Sequence, residues 1–115
     1  MDTVLKDKWI QLLGELKQGF GYLRHGDCFC VMGAFCEAVR QVRGVGSWEK
    51  DESGTDCFKV ETQRAYCVIP YQFDCEFEPF REKFRAKYDV SLMGLNDREH
   101  RSFAEIAEFI ASVGE

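Results

Sequence analysis

Six cysteines are the residues of this sequence best suited to chemistry: Cys28, Cys30, Cys36, Cys57, Cys67 and Cys75. A structural zinc site needs four converging ligands, which proteins usually supply from pairs spaced Cys-x2–4-Cys. The pair Cys28-x-Cys30 is closer than that, so zinc held by Cys28 or Cys30 with Cys57 and Cys67 is kept only as an alternative. Nothing indicates the oxidising compartment that disulfides require. We therefore expect mostly free, buried thiols.

A reactive thiol is the second chemical possibility. Cys28 is predicted to lie in the first turn of a helix, where the dipole favours a thiolate, and His25 is three residues away. The sequence shows neither a group to orient this histidine nor an oxyanion hole, and a histidine in a turn is usually solvated. We therefore predict neither a catalytic site nor a cofactor, and keep a thiol-dependent or zinc-dependent protein as an alternative.

Charge is the third feature that bears on function. The net charge is −5, and residues 44–80 carry almost all of the imbalance, with three bases and eight acids. A nucleic-acid-binding protein would show a basic stripe, and this sequence has none. Asp74, Glu76 and Glu78 alternate and would share one face of a strand. An acidic surface of this kind favours a partner with a basic surface.

The central element that must hold these residues is a helix predicted at residues 28–42, with Asp27 as its N-cap. This segment is apolar on nearly every side as far as Glu37, which is typical of a helix in the middle of a globule. Gly33 and Ala34 reduce side-chain bulk, so another element could approach the backbone closely. This Cys-rich helix is the predicted centre of the core.

Helical periodicity also marks the two ends of the chain. Apolar residues at 3.6-residue spacing predict a first helix over residues 3–18, which Gly19 would end. Near the other end, Ser102 and Glu105 have the spacing of a capping box, and the last helix is predicted to begin there.

The predicted strands lie in the middle of the chain. Residues 43–56 are rich in glycine, serine and charged residues, which predicts a long surface loop. Two strands of a hairpin are expected next, at residues 57–62 and 64–69. Residues 73–77 alternate aromatic and acidic side chains, which predicts an extended segment before a helix at 78–88.

Together these elements predict an α+β fold in a single domain, residues 1–115, with about four helices around the Cys-rich helix and a short antiparallel sheet. A chain of 115 residues is long enough to form one hydrophobic core that needs no disulfide or metal ion to stabilise it. No apolar stretch approaches the ~20 residues of a membrane span, and no signal peptide is recognisable. We therefore expect a cytosolic protein that does not bind membranes.

Two segments resemble a group of short proteins encoded by bacteriophages and prophages. They are Leu23-Arg-His-Gly-Asp-Cys-Phe-Cys-Val-Met-Gly-Ala-Phe-Cys36 and, much later, Leu95-Asn-Asp followed by Ser102-Phe-Ala-Glu-Ile-Ala107. The pattern of the group is L-R-x-G-D-x-[FY]-C-x-[LM]-G-x-x-C … L-N-D-x4-S-F-x-E-I-A. Both segments coincide with the strongest structural signals of the sequence, so we expect them to maintain the fold.

The resemblance implies a function outside catalysis, because small accessory phage proteins frequently inhibit host immunity, including CRISPR systems. In this interpretation the chain acts in the cytoplasm of an infected bacterium and binds a defence protein through its acidic surface. Homodimer formation is a further expectation. The predicted contact residues are Trp48, Asp51, Glu52, Tyr71, Phe73, Asp74, Glu76 and Glu78.

The resemblance also leaves open a nucleotide-sequestering protein. Such a protein would need basic and aromatic side chains around a pocket, formed between two protomers. The residues available for this alternative are Arg24, Arg64, Tyr66 and Arg98.

Overall fold

The computed structural model describes residues 1–114, which form four α-helices, two three-stranded sheets, a 3₁₀ helix and a π-helical turn. In chain order they are α1 (Thr3–Leu13), β1 (Lys17–Gln18), β2 (Arg24–His25), β3 (Cys28–Phe29), α2 (Val31–Arg43), β4 (Ser47–Lys50), β5 (Asp56–Val60), β6 (Gln63–Ala65), the 3₁₀ helix (Tyr71–Phe73), α3 (Asp74–Tyr88), the π-helical turn (Gly94–Arg98) and α4 (Phe103–Ala111). The predicted α+β class is confirmed. Within the described residues, no helix is long and apolar enough to cross a membrane.

Helix α2 lies at the centre of the core, as predicted, and the nine consecutive residues from Val31 to Val39 are buried. The helix begins later than expected. Asp27 is not its N-cap, because Cys28 and Phe29 form strand β3. The cap is Cys30, whose Sγ accepts a hydrogen bond from the backbone N–H of Gly33 at 3.3 Å. A thiol is an unusual cap, which explains why the sequence points to Asp27 instead.

The backbone of residue 23 crosses α2 at Gly33. A Cβ atom on Gly33 would lie 1.7 Å from the carbonyl oxygen of Leu23, which leaves space for glycine alone. The same carbonyl accepts the backbone N–H of Cys30 at 3.2 Å, and the N–H of Leu23 donates to the carbonyl of Tyr66 at 2.7 Å. Through these two hydrogen bonds, Leu23 connects the start of α2 to the segment that follows β6.

Helix α1 ends earlier than predicted. Asp2 caps its start by accepting the N–H of Val4 at 2.7 Å. Its end is Gly14, whose N–H bonds to the carbonyls of Gln11 and Leu12, and the predicted stop at Gly19 is wrong. The chain then enters β1, which pairs in parallel with β3, while β2 pairs with β3 antiparallel.

The second sheet is antiparallel throughout, in the order β4-β5-β6. The predicted hairpin is present, but it turns at Glu61 and Thr62 rather than at Gln63, and Glu61 has a φ of 57°. Strand β4 lies inside the predicted loop 43–56. It is held there because Trp48 pairs with Phe58 across the two strands and their rings meet edge to face at 4.8 Å.

Residues 74–77 belong to α3, so the predicted extended segment 73–77 is wrong. Proline is favoured at the first position of a helix, so Pro79 suggests a start near residue 79. In the structure Pro79 lies inside α3, which begins at Asp74. The continuous buried stripe of Phe77, Phe80 and Phe84 explains the longer helix, because these rings sit at helical spacing against the core. The last helix, α4, begins as predicted, with Ser102 Oγ accepting the N–H of Glu105 at 3.2 Å.

Replacing Gly33 with alanine should strongly destabilise the fold, because the new methyl group would overlap the backbone of Leu23. We expect a loss of about 3 kcal/mol or more in the free energy of unfolding. Urea denaturation followed by tryptophan fluorescence measures it. Gly14→Ala is the matched control, since its Cβ would be 3.4 Å from the Gln11 carbonyl, and it should change stability by less than about 0.5 kcal/mol. Equal stability of the two variants would contradict the proposed constraint.

Candidate functional site

An apolar cavity of about 370 Å³ opens beside α3, along Asp74 to Arg85, and is referred to below as the α3 cavity. Small-molecule and side-chain sites in proteins commonly have this size and an apolar lining with a few polar groups. The α3 cavity is lined by Met32, Val68, Ile69, Tyr71, Asp74, Phe77, Glu78, Arg81, Phe84, Arg85, Ser91, Leu92 and Met93. Its apolar residues come from α2, from α3 and from the segments before and after α3.

The rim of the α3 cavity exposes two large apolar side chains. Val68 is 62% exposed and Tyr71 is 63% exposed. Asp74 is also exposed and, among residues 1–114, its carboxylate has no ion-pair or hydrogen-bond partner. Glu78, by contrast, accepts a hydrogen bond from Arg81 at 2.5 Å. The rim thus combines exposed apolar surface with a carboxylate and a guanidinium, those of Asp74 and Arg85, that have no side-chain partner among residues 1–114.

The structure brings Tyr71, Asp74 and Glu78 together at this cavity, as a contact surface requires. Asp74 and Glu78 are neighbours because they lie one helical turn apart. Glu76 points elsewhere, since its carboxylate pairs with Arg43 on α2. Asp74, Glu76 and Glu78 therefore do not share one face, and that prediction fails because the segment is helical rather than extended.

Phe73 is not available as a surface anchor. Its side chain is only 8% exposed, and its ring packs against those of Phe35 and Phe58. The prediction of a contact role for Phe73 is therefore wrong, because the aromatic residue belongs to the core.

Trp48 is half-buried and is held by a carboxylate of the central helix. Its indole N–H donates to Glu37 Oε1 at 2.9 Å, and its ring packs edge to face with those of Phe29 and Phe58. Burial alone would raise the pKa of Glu37, but hydrogen bonds from Arg40, Gln41 and Trp48 outweigh it and lower that pKa to about 2. Trp48 therefore helps to fix the second sheet on α2.

Asp51 and Glu52 lie in the turn between β4 and β5 and have different roles. Asp51 accepts the backbone N–H groups of Ser53 and Thr55 and the hydroxyl of Tyr66, so it organises the turn. The hydrogen bond from the Thr55 backbone is the main cause that lowers the pKa of Asp51. Glu52 is 86% exposed and, within residues 1–114, is paired only with Arg64, at 3.4 Å. Of the two, Glu52 alone faces the solvent.

The cysteines are distributed over several elements. Burial raises the pKa of Cys30 to about 11 and raises the pKa of Cys36 well above its ordinary value, so both are protonated thiols at neutral pH. Cys57 is buried and Cys67 is exposed. Among residues 1–114 no three histidine, cysteine, aspartate or glutamate side chains are grouped in a way that could hold a metal ion.

Cys28 and His25 are neighbours, although not in the predicted setting. They are directly opposite each other across strands β2 and β3. Because α2 begins at Val31, Cys28 does not lie in the first turn of a helix, and the predicted activation by the helix dipole is wrong. The Cys28 thiol instead lies 3.6 Å from Asp27 Oδ1.

Three of the side chains considered for nucleotide binding are engaged by neighbours. Arg24 donates to the carbonyl of Gly26 and stacks over the rings of Phe29 and Trp48, at 4.9 and 5.5 Å. Arg64 pairs with Glu52, and the Tyr66 hydroxyl donates to Asp51. Arg98 lies in a separate, open depression together with Arg85, Asp89 and Glu99. The four residues do not form a common pocket.

Sequence reasoning missed most of the cavity. Phe77 and Phe84 were assigned to different elements, and Val68 and Ile69 were expected in a hairpin strand. The signal that could have found the site is the helical spacing of Phe77, Phe80 and Phe84 together with Arg81 and Arg85 on the same helix.

Comparison with known proteins places the chain in a family. Residues 1–113 match the family described as a domain of unknown function, DUF8296, and the chain belongs to it. No curated protein and no solved structure matches. The family match thus covers all of the elements described above.

Stability should fall at acidic pH through Glu37. Its folded-state pKa of about 2 is below the ordinary value of 4.5, so its contribution is complete above pH 4.5 and is lost as the pH falls toward 2. The shift corresponds to roughly 3 kcal/mol. Urea denaturation of Glu37→Gln should show a much smaller loss of stability across this window than the wild type. Glu82→Gln, an exposed carboxylate on α3, is the control and should follow the wild type; identical pH profiles for all three proteins would contradict the assignment.

Proposed function

We propose that this chain is a phage-encoded accessory protein that inhibits a bacterial defence system, such as CRISPR, by binding a basic partner protein at the α3 cavity. In this proposal it acts without catalysis in the cytoplasm of the infected cell. The proposal combines the resemblance of its two sequence motifs to phage proteins with the chemistry of the cavity rim. The observation that carries it is the carboxylate of Asp74, which has no partner in the described part of the chain and lies beside exposed Tyr71 and an apolar cavity.

The cavity indicates what the partner must present. An apolar side chain can enter between Phe77, Phe84 and Leu92, where it would be removed from water. A lysine or arginine next to that side chain would meet Asp74, whose charge has no competing partner among the described residues. Tyr71 would pack over the contact, as tyrosine often does at the centre of interfaces. The net charge of −5 would also steer a basic partner toward the chain.

The alternative functions receive less support from the described residues. Arg24, Arg64 and Tyr66 are used within the chain, which argues against a nucleotide pocket built from them. The raised pKa of Cys30 and of Cys36 argues against a nucleophilic thiol on α2.

The test is an infection assay with bacterial strains that each carry one defined defence system, CRISPR systems included. Expression of the wild-type chain should restore plaque formation by a phage that one of these systems restricts. Tyr71→Ser combined with Asp74→Arg should abolish the restoration, because it removes both the aromatic contact and the carboxylate. Binding to the purified target should weaken about tenfold to a hundredfold, which is about 1.4 to 2.7 kcal/mol.

Two further variants locate the effect. Val4→Ser combined with Glu108→Arg changes an exposed apolar residue and an exposed acid on α1 and α4, so it matches the first variant in chemistry and should retain inhibition. Glu52→Lys should also retain it. If Glu52→Lys loses inhibition and the cavity variant keeps it, the β4–β5 turn is the binding site and the α3 cavity is not. Failure to inhibit any defence system would exclude the proposed function.

A further inference from the structure

Two exposed aromatic side chains lie on a second surface, far along the chain from α3. Phe20 and Tyr22 are each 48% exposed and belong to residues 19–23, named here the aromatic loop. The ring of Phe20 packs on the imidazole of His100 with a centroid distance of 4.6 Å, and the ring of Tyr22 lies 6.5 Å from that of His25. Neither aromatic residue is used in the core.

The aromatic loop has no regular secondary structure, yet hydrogen bonds hold its backbone at both ends and in the middle. The N–H of Gly19 donates to the carbonyl of Phe29 at 2.7 Å, and the N–H of Leu23 donates to that of Tyr66 at 2.7 Å. In between, the N–H of Gly21 donates to Asp97 Oδ1 at 3.1 Å. The loop is therefore fixed in one conformation.

A buried polar side chain completes this support. Asn96 is fully buried, and its amide nitrogen donates to the carbonyl of Gly19 and to Asp97 Oδ1, at 3.0 and 2.7 Å. Its amide oxygen accepts a hydrogen bond from Gln18 Nε2 at 2.9 Å. A buried amide costs free energy unless its N–H and C=O groups are hydrogen-bonded. The hydrogen bonds of Asn96 therefore favour the loop conformation in which Gly19 and Gln18 can reach it. A loop that is fixed in advance loses little conformational entropy on binding.

The charges around the loop restrict its partner. Segments 17–28 and 96–101 carry four basic residues (Lys17, Arg24, Arg98, Arg101) and three acidic ones (Asp27, Asp97, Glu99). They are close to neutral, although the whole chain has a net charge of −5. A strongly charged partner, nucleic acid included, would not be matched by this surface. Two copies of the chain, which repel each other elsewhere, can approach here.

We propose that the aromatic loop is the self-association surface of this protein, and that its partner is a second copy of the chain related by a twofold axis. In such an interface the same surface faces itself, so any charged group on it needs a group of opposite charge on the same surface. Lys17 and Asp27 meet this requirement, because they are of opposite charge, their side chains are 70% and 82% exposed, and they lie 3.9 Å apart. Lys17 lies opposite Cys28, and Cys28 lies opposite His25, whose ring is 6.5 Å from that of Tyr22. Lys17 of one copy can therefore meet Asp27 of the other beside the aromatic loop.

Sedimentation equilibrium of the purified chain over a dilution series tests this. The wild type should sediment at twice its chain mass of 13.3 kDa and dissociate on dilution. Phe20→Ser combined with Tyr22→Ser should halve that mass at the same concentration. Circular dichroism and thermal melting verify that this variant remains folded, which is expected because both side chains are half-exposed and outside the core.

Val4→Ser is the matched control, because it removes another exposed apolar side chain, on α1, and it should remain dimeric. Tyr71→Ser should also remain dimeric, which separates this proposal from the proposed function at the α3 cavity. A wild type that is monomeric throughout the series would overturn the inference. So would a dimer that survives the double variant, or one that Tyr71→Ser dissociates, since the copies would then meet at the α3 cavity. The infection assay tests the α3 cavity with other variants, so its outcome does not depend on whether the aromatic-loop variant is monomeric.

Discussion

The close approach of the Leu23 backbone to α2 is the constraint on which the arrangement of the other elements depends. The absence of a side chain at Gly33 lets the carbonyl of residue 23 lie against the first turn of the helix. That position sets where the aromatic loop ends, and it allows the same carbonyl to accept the N–H of Cys30. Through its own N–H, Leu23 also fixes the chain that leaves β6 toward the α3 cavity. A larger residue at position 33 would displace all of these segments together.

The sequence predicts the fold well where one physical signal dominates. The apolar run of α2 and the Ser102 cap of α4 were recognisable because burial and capping leave local patterns. Strand β4 and the start of α3 were not, because both depend on distant partners. Trp48 makes a strand of an otherwise polar segment by packing on Phe58, and Phe77 extends α3 backward by packing on Phe35 and Trp9. Cys30 as a cap was hidden because thiols rarely have this role.

The candidate site was only partly visible for a related reason. A surplus of acidic residues in sequence is not the same as an acidic surface, because several of these carboxylates are used internally. Asp51 organises a turn, and Glu76 pairs with Arg43 on α2. Asp56 pairs with Lys50 and accepts a hydrogen bond from the backbone N–H of Gly26. Of the acidic residues predicted to contact a partner, Asp74 and Glu52 remain exposed, and Glu52 has only a weak surface pair with Arg64 among the described residues. The alternation of aromatic and acidic residues at 73–77 predicted an extended segment, but residues 74–77 belong to α3. The helix therefore decides which of these side chains lie together.

The hydrogen bond from Asn96 to Gly19 joins residues 77 positions apart. During synthesis the chain leaves the ribosome from its amino end, so residues 19–23 emerge well before the π-helical turn exists to hold them. Until then the hydrogen bonds from Gly19 to Phe29 and from Leu23 to Tyr66 can hold the two ends of the loop, but its middle lacks the bond from Gly21 to Asp97. The loop therefore acquires its hydrogen bonds to Asn96 and Asp97 only after these two residues have been made. A nascent chain that still lacks Asn96 and Asp97 carries Phe20 and Tyr22 without these hydrogen bonds, so the local shape of this surface depends on residues 77 and 76 positions away.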